Sequence, residues 1–257
     1  MFESLRKIAI ASCLVCGVVS YSASAQDFDG TKRLAEQGDL SAQLLLGTMY
    51  DYGIGISEDN AKALKWYREA AEQGYPDAQL SLGFMYEYGS GVTKDDREAV
   101  KWYRAAALQG HMIAQSSLGI KYAKGEGVSK DDSEAVRWYR KAAEQGHPQA
   151  QYDLAYSYTT GQGVPEDDDE AMKWFRRAAE QGMGAAQYKV GANYANGYGA
   201  KQNLVLSYQW LTLAAGERYP EALGALKTVS DLMTQSQIAE AQGLTLACYS
   251  NNYFGCE

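Results

Sequence analysis

Five tryptophans occur in the chain, and each lies 36 residues from the next: Trp66, Trp102, Trp138, Trp174 and Trp210. The same interval holds for Ala42, Ala78, Ala114, Ala150, Ala186 and Ala222, and for Tyr50, Tyr86, Tyr122, Tyr158 and Tyr194. Gly53, Gly89, Gly125, Gly161 and Gly197 keep it as well, each followed two residues on by a second glycine. So many positions in ungapped register make the chain a tandem repeat. Whole sentences of sequence recur, such as "DDREAVKWYRAAALQG" from Asp95 and "DDSEAVRWYRKAAEQG" from Asp131. A catalytic motif occurs once, whereas a motif said several times is architecture.

Each unit reads as two helices. In "DAQLSLGFMYEYG", Ala78, Leu82, Met85 and Tyr86 recur at helical spacing. Pro76 stands where a first helical turn tolerates it, and Gly89 with Gly91 end the segment. The second helix opens at Asp95, whose carboxylate caps backbone amides, and Glu98 three residues on predicts a capping box. Ala99, Trp102, Tyr103 and Ala106 form its apolar stripe, and Gly110 closes it. Small residues at Gly47, Gly83, Gly119, Ala155 and Gly191 let the first helix approach its neighbour, with tryptophan filling the space between. No unit can cover its own stripe on both sides, so stability must come from stacking neighbours.

The pattern A-x-x-x-L-G-x-x-Y, then G-x-G, then D-x-x-x-A-x-x-W-Y-x-x-A-A resembles the Sel1-like repeat, a relative of the tetratricopeptide repeat. The resemblance runs from Thr31 to about Leu226. It implies an all-α fold, a right-handed α-solenoid of antiparallel helix pairs, and a non-enzymatic role in binding other proteins. Sel1-like proteins act as adaptors in envelope, secretion and signalling assemblies. The expected organisation is a signal peptide over 1–25 and a capping half-repeat over 26–41. Five repeats follow over 42–221, and capping helices with a tied tail over 222–257.

The N-terminus carries the marks of export. Arg6 and Lys7 precede an apolar run of 12 residues from Ile8 to Val19, and Ala23 to Ala25 form a small-residue cleavage site. That run is shorter than the roughly 20 residues a membrane-spanning helix needs. A mature chain starting at Gln26, periplasmic or secreted and without a membrane span, is expected. A lipoprotein cut before Cys13 is the alternative. In an oxidising compartment Cys248 and Cys256 read most simply as a disulfide, against two free thiols or half a metal site. The excess of 32 acidic over 24 basic residues argues against nucleic acid as partner.

No residue set escapes the repeat in a catalytic context. His111 and His147 are 36 apart, so they occupy the same turn position in successive units and cannot share one zinc. The run Glu166 to Glu170 places Asp167 in the register of Asp59, Asp95 and Asp131, which makes it a helix cap rather than a calcium loop. No metal and no cofactor are expected.

Function is then sought in positions that differ between units. By analogy with tetratricopeptide repeats, the first helix of each pair lines a concave face, with offsets 2, 6, 9 and 10 from its alanine expected to point into the groove. Those offsets supply Leu44, Tyr52, Leu80, Phe84, Glu87, Tyr88, Ile120, Tyr152, Tyr156 and Tyr188. Exposed aromatics anchor protein interfaces. A protein or peptide partner bearing Lys or Arg is expected, drawn by the acidic residues of the first half. A monomer is expected, with end-to-end association through the last repeat as the alternative. The alternative function is binding of β-lactam or peptidoglycan, implied by cysteine-rich Sel1 relatives. Those relatives carry a cysteine pair in each repeat, and this chain has none inside its repeats.

Overall fold

A computed structural model describes residues 28–251, 253, 255 and 256, so the expected signal peptide lies outside the described residues. Among those residues are thirteen helices and no strand. The fold is an all-α repeat solenoid. Contacts divide it into two compact units, one ending at Gln109 and the other starting at Gly110. The even 36-residue period does not announce that division.

The first unit holds α1 (Phe28–Glu36), α2 (Leu40–Tyr52), α3 (Asn60–Glu72), α4 (Pro76–Tyr88) and α5 (Asp96–Leu108). The second holds α6 (Met112–Lys124), α7 (Asp132–Glu144), α8 (Pro148–Thr160), α9 (Asp168–Ala179), α10 (Gly184–Asn196) and α11 (Leu204–Gly216). It closes with α12 (Ala222–Ser230) and α13 (Gln235–Ser250). Within each unit, helices pair as α2 with α3, α4 with α5, α6 with α7, α8 with α9, and α10 with α11. The second helix of a pair also packs on the first helix of the next, as α3 does on α4 and α7 on α8. Both α12 and α13 lie against α11.

In the first three pairs a ring is seated on a bare backbone. A Cβ placed on Gly119 would come within 2.6 Å of the Tyr139 ring, and one on Gly47 within 2.6 Å of Tyr67. Gly83 and Tyr103 repeat the contact. The side chain opposite the small residue is therefore the one following tryptophan, not tryptophan itself. Tryptophan fills a different gap, at the seam with the preceding repeat. Trp66 joins Ala35, Ala42 and Leu46, while Trp102 packs on Ala70, Ala71, Ala78 and Leu82. Trp66, Trp138, Trp174 and Trp210 are buried, and Trp102 is half-buried. A cation covers the outer faces: Lys141 Nζ and Arg177 Cζ each stand 4.4 Å from the ring centres of Trp138 and Trp174.

A second periodic device consists of paired glutamines. Gln151 is buried and donates to the Ala143 carbonyl at 3.2 Å, while its own side-chain oxygen accepts from Gln181 at 2.8 Å. Gln79 does the same between Ala71 and Gln109, at 3.1 and 2.8 Å. Each latch fastens the end of one pair to the first helix and closing turn of the next. A buried amide left unpaired costs about 1–3 kcal/mol, so the latch also penalises misregister.

Second helices are capped as expected: Asp59, Asp95, Asp131, Asp167 and Asn203 each accept from first-turn amides. The expected capping box at Glu98 does not form. The Asp95 amide donates to the Tyr86 carbonyl at 2.9 Å, and Glu98 pairs with Lys101 instead. A capping box does form at the start of α13, between Thr234 and Gln237. The second turn glycine has its own reason to be there. Gly163 has φ +75°, and a Cβ on it would strike the Asp132 carbonyl at the start of the preceding pair's second helix.

At the end of the second unit Cys248 and Cys256 are bonded, with Cα atoms 5.0 Å apart. Both belong to the same buried cluster as Trp174 and Trp210. Tyr253 adds a hydrogen bond from its hydroxyl to Glu217 at 2.7 Å, which ties the tail to the turn after α11.

The ring contact makes a direct prediction. Gly119→Ala is expected to lose about 1–3 kcal/mol of stability through overpacking. Gly224→Ala, in a helical position with nothing within 4 Å, is expected to hold stability or raise it. Urea titration followed by tryptophan fluorescence measures both.

Candidate functional site

The first helices α2, α4, α6, α8 and α10 carry the positions that differ between repeats, and their geometry begins at the caps. Asp39 accepts from the Ala42 amide at 2.7 Å. At the same register His147 Nδ1 accepts from the Ala150 amide at 3.2 Å, and His111 does so from Ala114 at 3.4 Å. The turn histidines are thus helix caps, and Nδ1 must be unprotonated to serve. Burial, and behind it the charge of His111, lowers the pKa of His147 below its ordinary value. No group of three or more His, Cys, Asp or Glu side chains that could hold a metal occurs among the described residues.

In the first unit most candidate positions are drawn inward. Leu80 is only 5% exposed and belongs to the interior, which corrects its expected place on an open face. Its register lies at the seam between pairs, where Leu44 packs half-buried against Ala70, Ala71, Ala78 and Leu82. Tyr52 is half-buried. Phe84 meets Tyr103 edge-on at 5.5 Å and stacks with Tyr88 at 6.3 Å. Glu87 accepts from the Tyr103 hydroxyl, and Asp51 is buried. The acids expected to attract a basic partner are therefore engaged inside the unit. Tyr88, 51% exposed, is the candidate that reaches solvent.

The second unit repeats this division. Ile120 is half-buried against the main cluster, and Tyr152 meets Phe175 edge-on at 5.3 Å. Tyr188 lies 5.1 Å from Tyr219. Tyr156 is 44% exposed, with Lys189 Nζ 5.9 Å from its ring centre. Beside it lies a residue that the periodic offsets passed over. Asp153 occupies the register of Leu45, Ser81, Ser117 and Lys189, and its departure from the apolar and small residues of earlier repeats was the available signal.

The fold and these faces define a helical repeat protein, and the comparisons give the family. The Sel1 repeat model matches residues 40–75, 76–111, 113–147, 148–183 and 184–217, and the chain belongs to the Sel1 repeat family. A Sel1 repeat protein from Oxalobacter formigenes is 31% identical, with 87% of this chain and 97% of that one covered and a TM-score of 0.71. The protein c5321, a protective antigen present in uropathogenic Escherichia coli strains displaying an SLR fold, is 27% identical. That match covers 88% of this chain and 64% of that one, with a TM-score of 0.46. No curated protein matches significantly. Sel1 repeats are generally non-enzymatic scaffolds for protein interaction.

The histidine cap has a pH signature. Because the folded state lowers the pKa of His147, the unfolded chain binds more protons as pH falls, and stability declines below about pH 6.5. Relative to His147→Asn, which caps without titrating, the wild type is expected to lose stability between about pH 7 and 5. His147→Ala is expected to cost about 1 kcal/mol at neutral pH, where the cap is intact. Thermal unfolding of the three proteins across that range checks both statements.

Proposed function

We propose that the chain is an exported scaffold that binds a protein or peptide segment on the exposed faces of its first helices, the faces expected to line the concave groove. The observation that carries this reading is the exposure of Tyr88 and Tyr156 at positions the repeat leaves free. In other repeats Tyr156 is matched by Thr48, Phe84, Ile120 and Ala192, and Tyr88 by Tyr52, Lys124, Thr160 and Asn196. The stack does not need a tyrosine at either place. Tyrosine supplies contact area with little conformational freedom to lose, which makes it a strong interface anchor. Phe84 stacks with Tyr88 and meets Tyr103 edge-on, and Tyr152, four residues before Tyr156, meets Phe175 edge-on.

Export is supported by the charged and apolar pattern before Ala25 and by the bonded cysteines, which persist in oxidising compartments. No helix among the described residues is long and apolar enough to cross a membrane. N-terminal sequencing of protein from a bacterial periplasmic fraction is expected to read from Gln26. An intact Met1 on the exported form would contradict that.

Binding is tested by cross-linking capture from envelope extract with wild type and a Tyr88→Ser, Tyr156→Ser variant. Equal helicity by circular dichroism and at least a tenfold drop in capture are expected, since two anchor losses exceed about 1.4 kcal/mol. Undiminished capture by the variant would move binding away from these faces.

A further inference from the structure

Between α6, α7 and α8 lies a cavity of about 190 Å³ lined by Ala123, Asp132, Ala135, Tyr139, Asp153, Tyr156, Ser157 and Gln162. One of its lining side chains is shorter than its counterparts in earlier repeats. Ser157 stands where earlier repeats place Met49, Met85 and Lys121, each of which is buried. Serine instead folds back to donate to the Asp153 carbonyl at 2.9 Å, leaving the methionine volume vacant.

The walls are polar in a one-sided way. Asp153 Oδ1 accepts from Gln149 at 3.0 Å, but its Oδ2 is buried and has no hydrogen-bond partner. Burial pushes this carboxyl up to about 6, against the opposing effects of Gln149 and Lys124. Tyr139 is only 6% exposed, and no hydrogen bond is made by its hydroxyl among the described residues. Its counterparts do not share that condition: Tyr67 donates to Thr48 at 3.2 Å and Tyr103 to Glu87. Asp132 adds a second carboxylate, paired at 3.3 Å with the exposed Lys130, an arrangement of small energetic weight. Tyr156 supplies an aromatic wall that reaches solvent.

A buried carboxylate oxygen without a donor, a second carboxylate and an aromatic face together match one kind of guest. A cation satisfies the carboxylate by a charge-assisted hydrogen bond and the ring by its quadrupole. We propose that this cavity receives the cationic end of a lysine or arginine side chain from the bound partner. The inference rests on the scaffold reading above and names the chemistry of the partner residue. The basic-partner preference expected from the first-half acids thereby moves to the second unit, where an acid has an oxygen to spare.

The test is a nuclear magnetic resonance titration of the full chain with n-butylammonium and n-butylguanidinium, with n-butanol as the neutral control. Saturable shifts at Asp153, Tyr139 and Tyr156 are expected for a cation, with a dissociation constant of about 1–10 mM for so small a probe. The cation that binds more tightly distinguishes lysine from arginine as the source. Asp153→Asn is expected to weaken binding at least tenfold. Ser157→Met, which restores the side chain of earlier repeats, is expected to abolish it while the fold is kept. Shifts of equal size with butanol, undiminished binding by Asp153→Asn, or no saturation for either cation would overturn the proposal. The capture experiment stays separable: a partner held equally by wild type and Asp153→Asn keeps the scaffold reading and removes this pocket from it.

Discussion

The first three pairs depend on an aromatic ring packed against a helix that has given up its side chain. Where Gly47, Gly83 and Gly119 face Tyr67, Tyr103 and Tyr139, the two helices of a pair approach more closely than any Cβ allows. That approach fixes the spacing of the pair, and the spacing fixes where the next seam opens. Tryptophan then fills the seam, and the glutamine pairs latch it. The order matters physically, because directional hydrogen bonds add register only after packing has set the distance.

A stack held in this way divides its residues into two populations. The periodic ones are committed to neighbours, while those free to differ stand on the outer faces of the first helices or in gaps left by a shortened side chain. The fourth pair shows both kinds of freedom within five residues. Asp153 and Ser157 open a polar cavity, and Tyr156 stands beside it in solvent. The histidine caps belong to neither population. They replace an aspartate such as Asp39 with a side chain that does the same work only while neutral.

Much of this was legible in the sequence because periodicity is a property of sequence. The tryptophan interval predicted helix pairs, their glycine ends and the aspartate caps. What escaped had a physical reason in each case. Tryptophan was assigned the gap that Tyr139 fills, because side-chain bulk does not say which of two adjacent residues points across a pair. The buried glutamines were overlooked although Gln43, Gln79, Gln115, Gln151 and Gln187 keep the period, since amides are read as surface residues when partners are unseen. Leu80 was assigned to an open face by counting offsets on one helix, whereas the adjoining pair covers that register. Asp153 was missed by the same count. Its oxygen without a donor is a fact of three helices together.

The docking of Gly163 on the Asp132 carbonyl carries a consequence for how such chains change over time. The turn inside one pair rests on the helix start of the pair before it, and Gly91 and Gly199 rest in the same way on Asn60 and Asp168. Adding or deleting a residue in that turn would lift it from its support and misalign a neighbour as well as itself. Gradual change in length is therefore blocked where the pairs are stacked. Change in length is then expected to come as whole 36-residue modules.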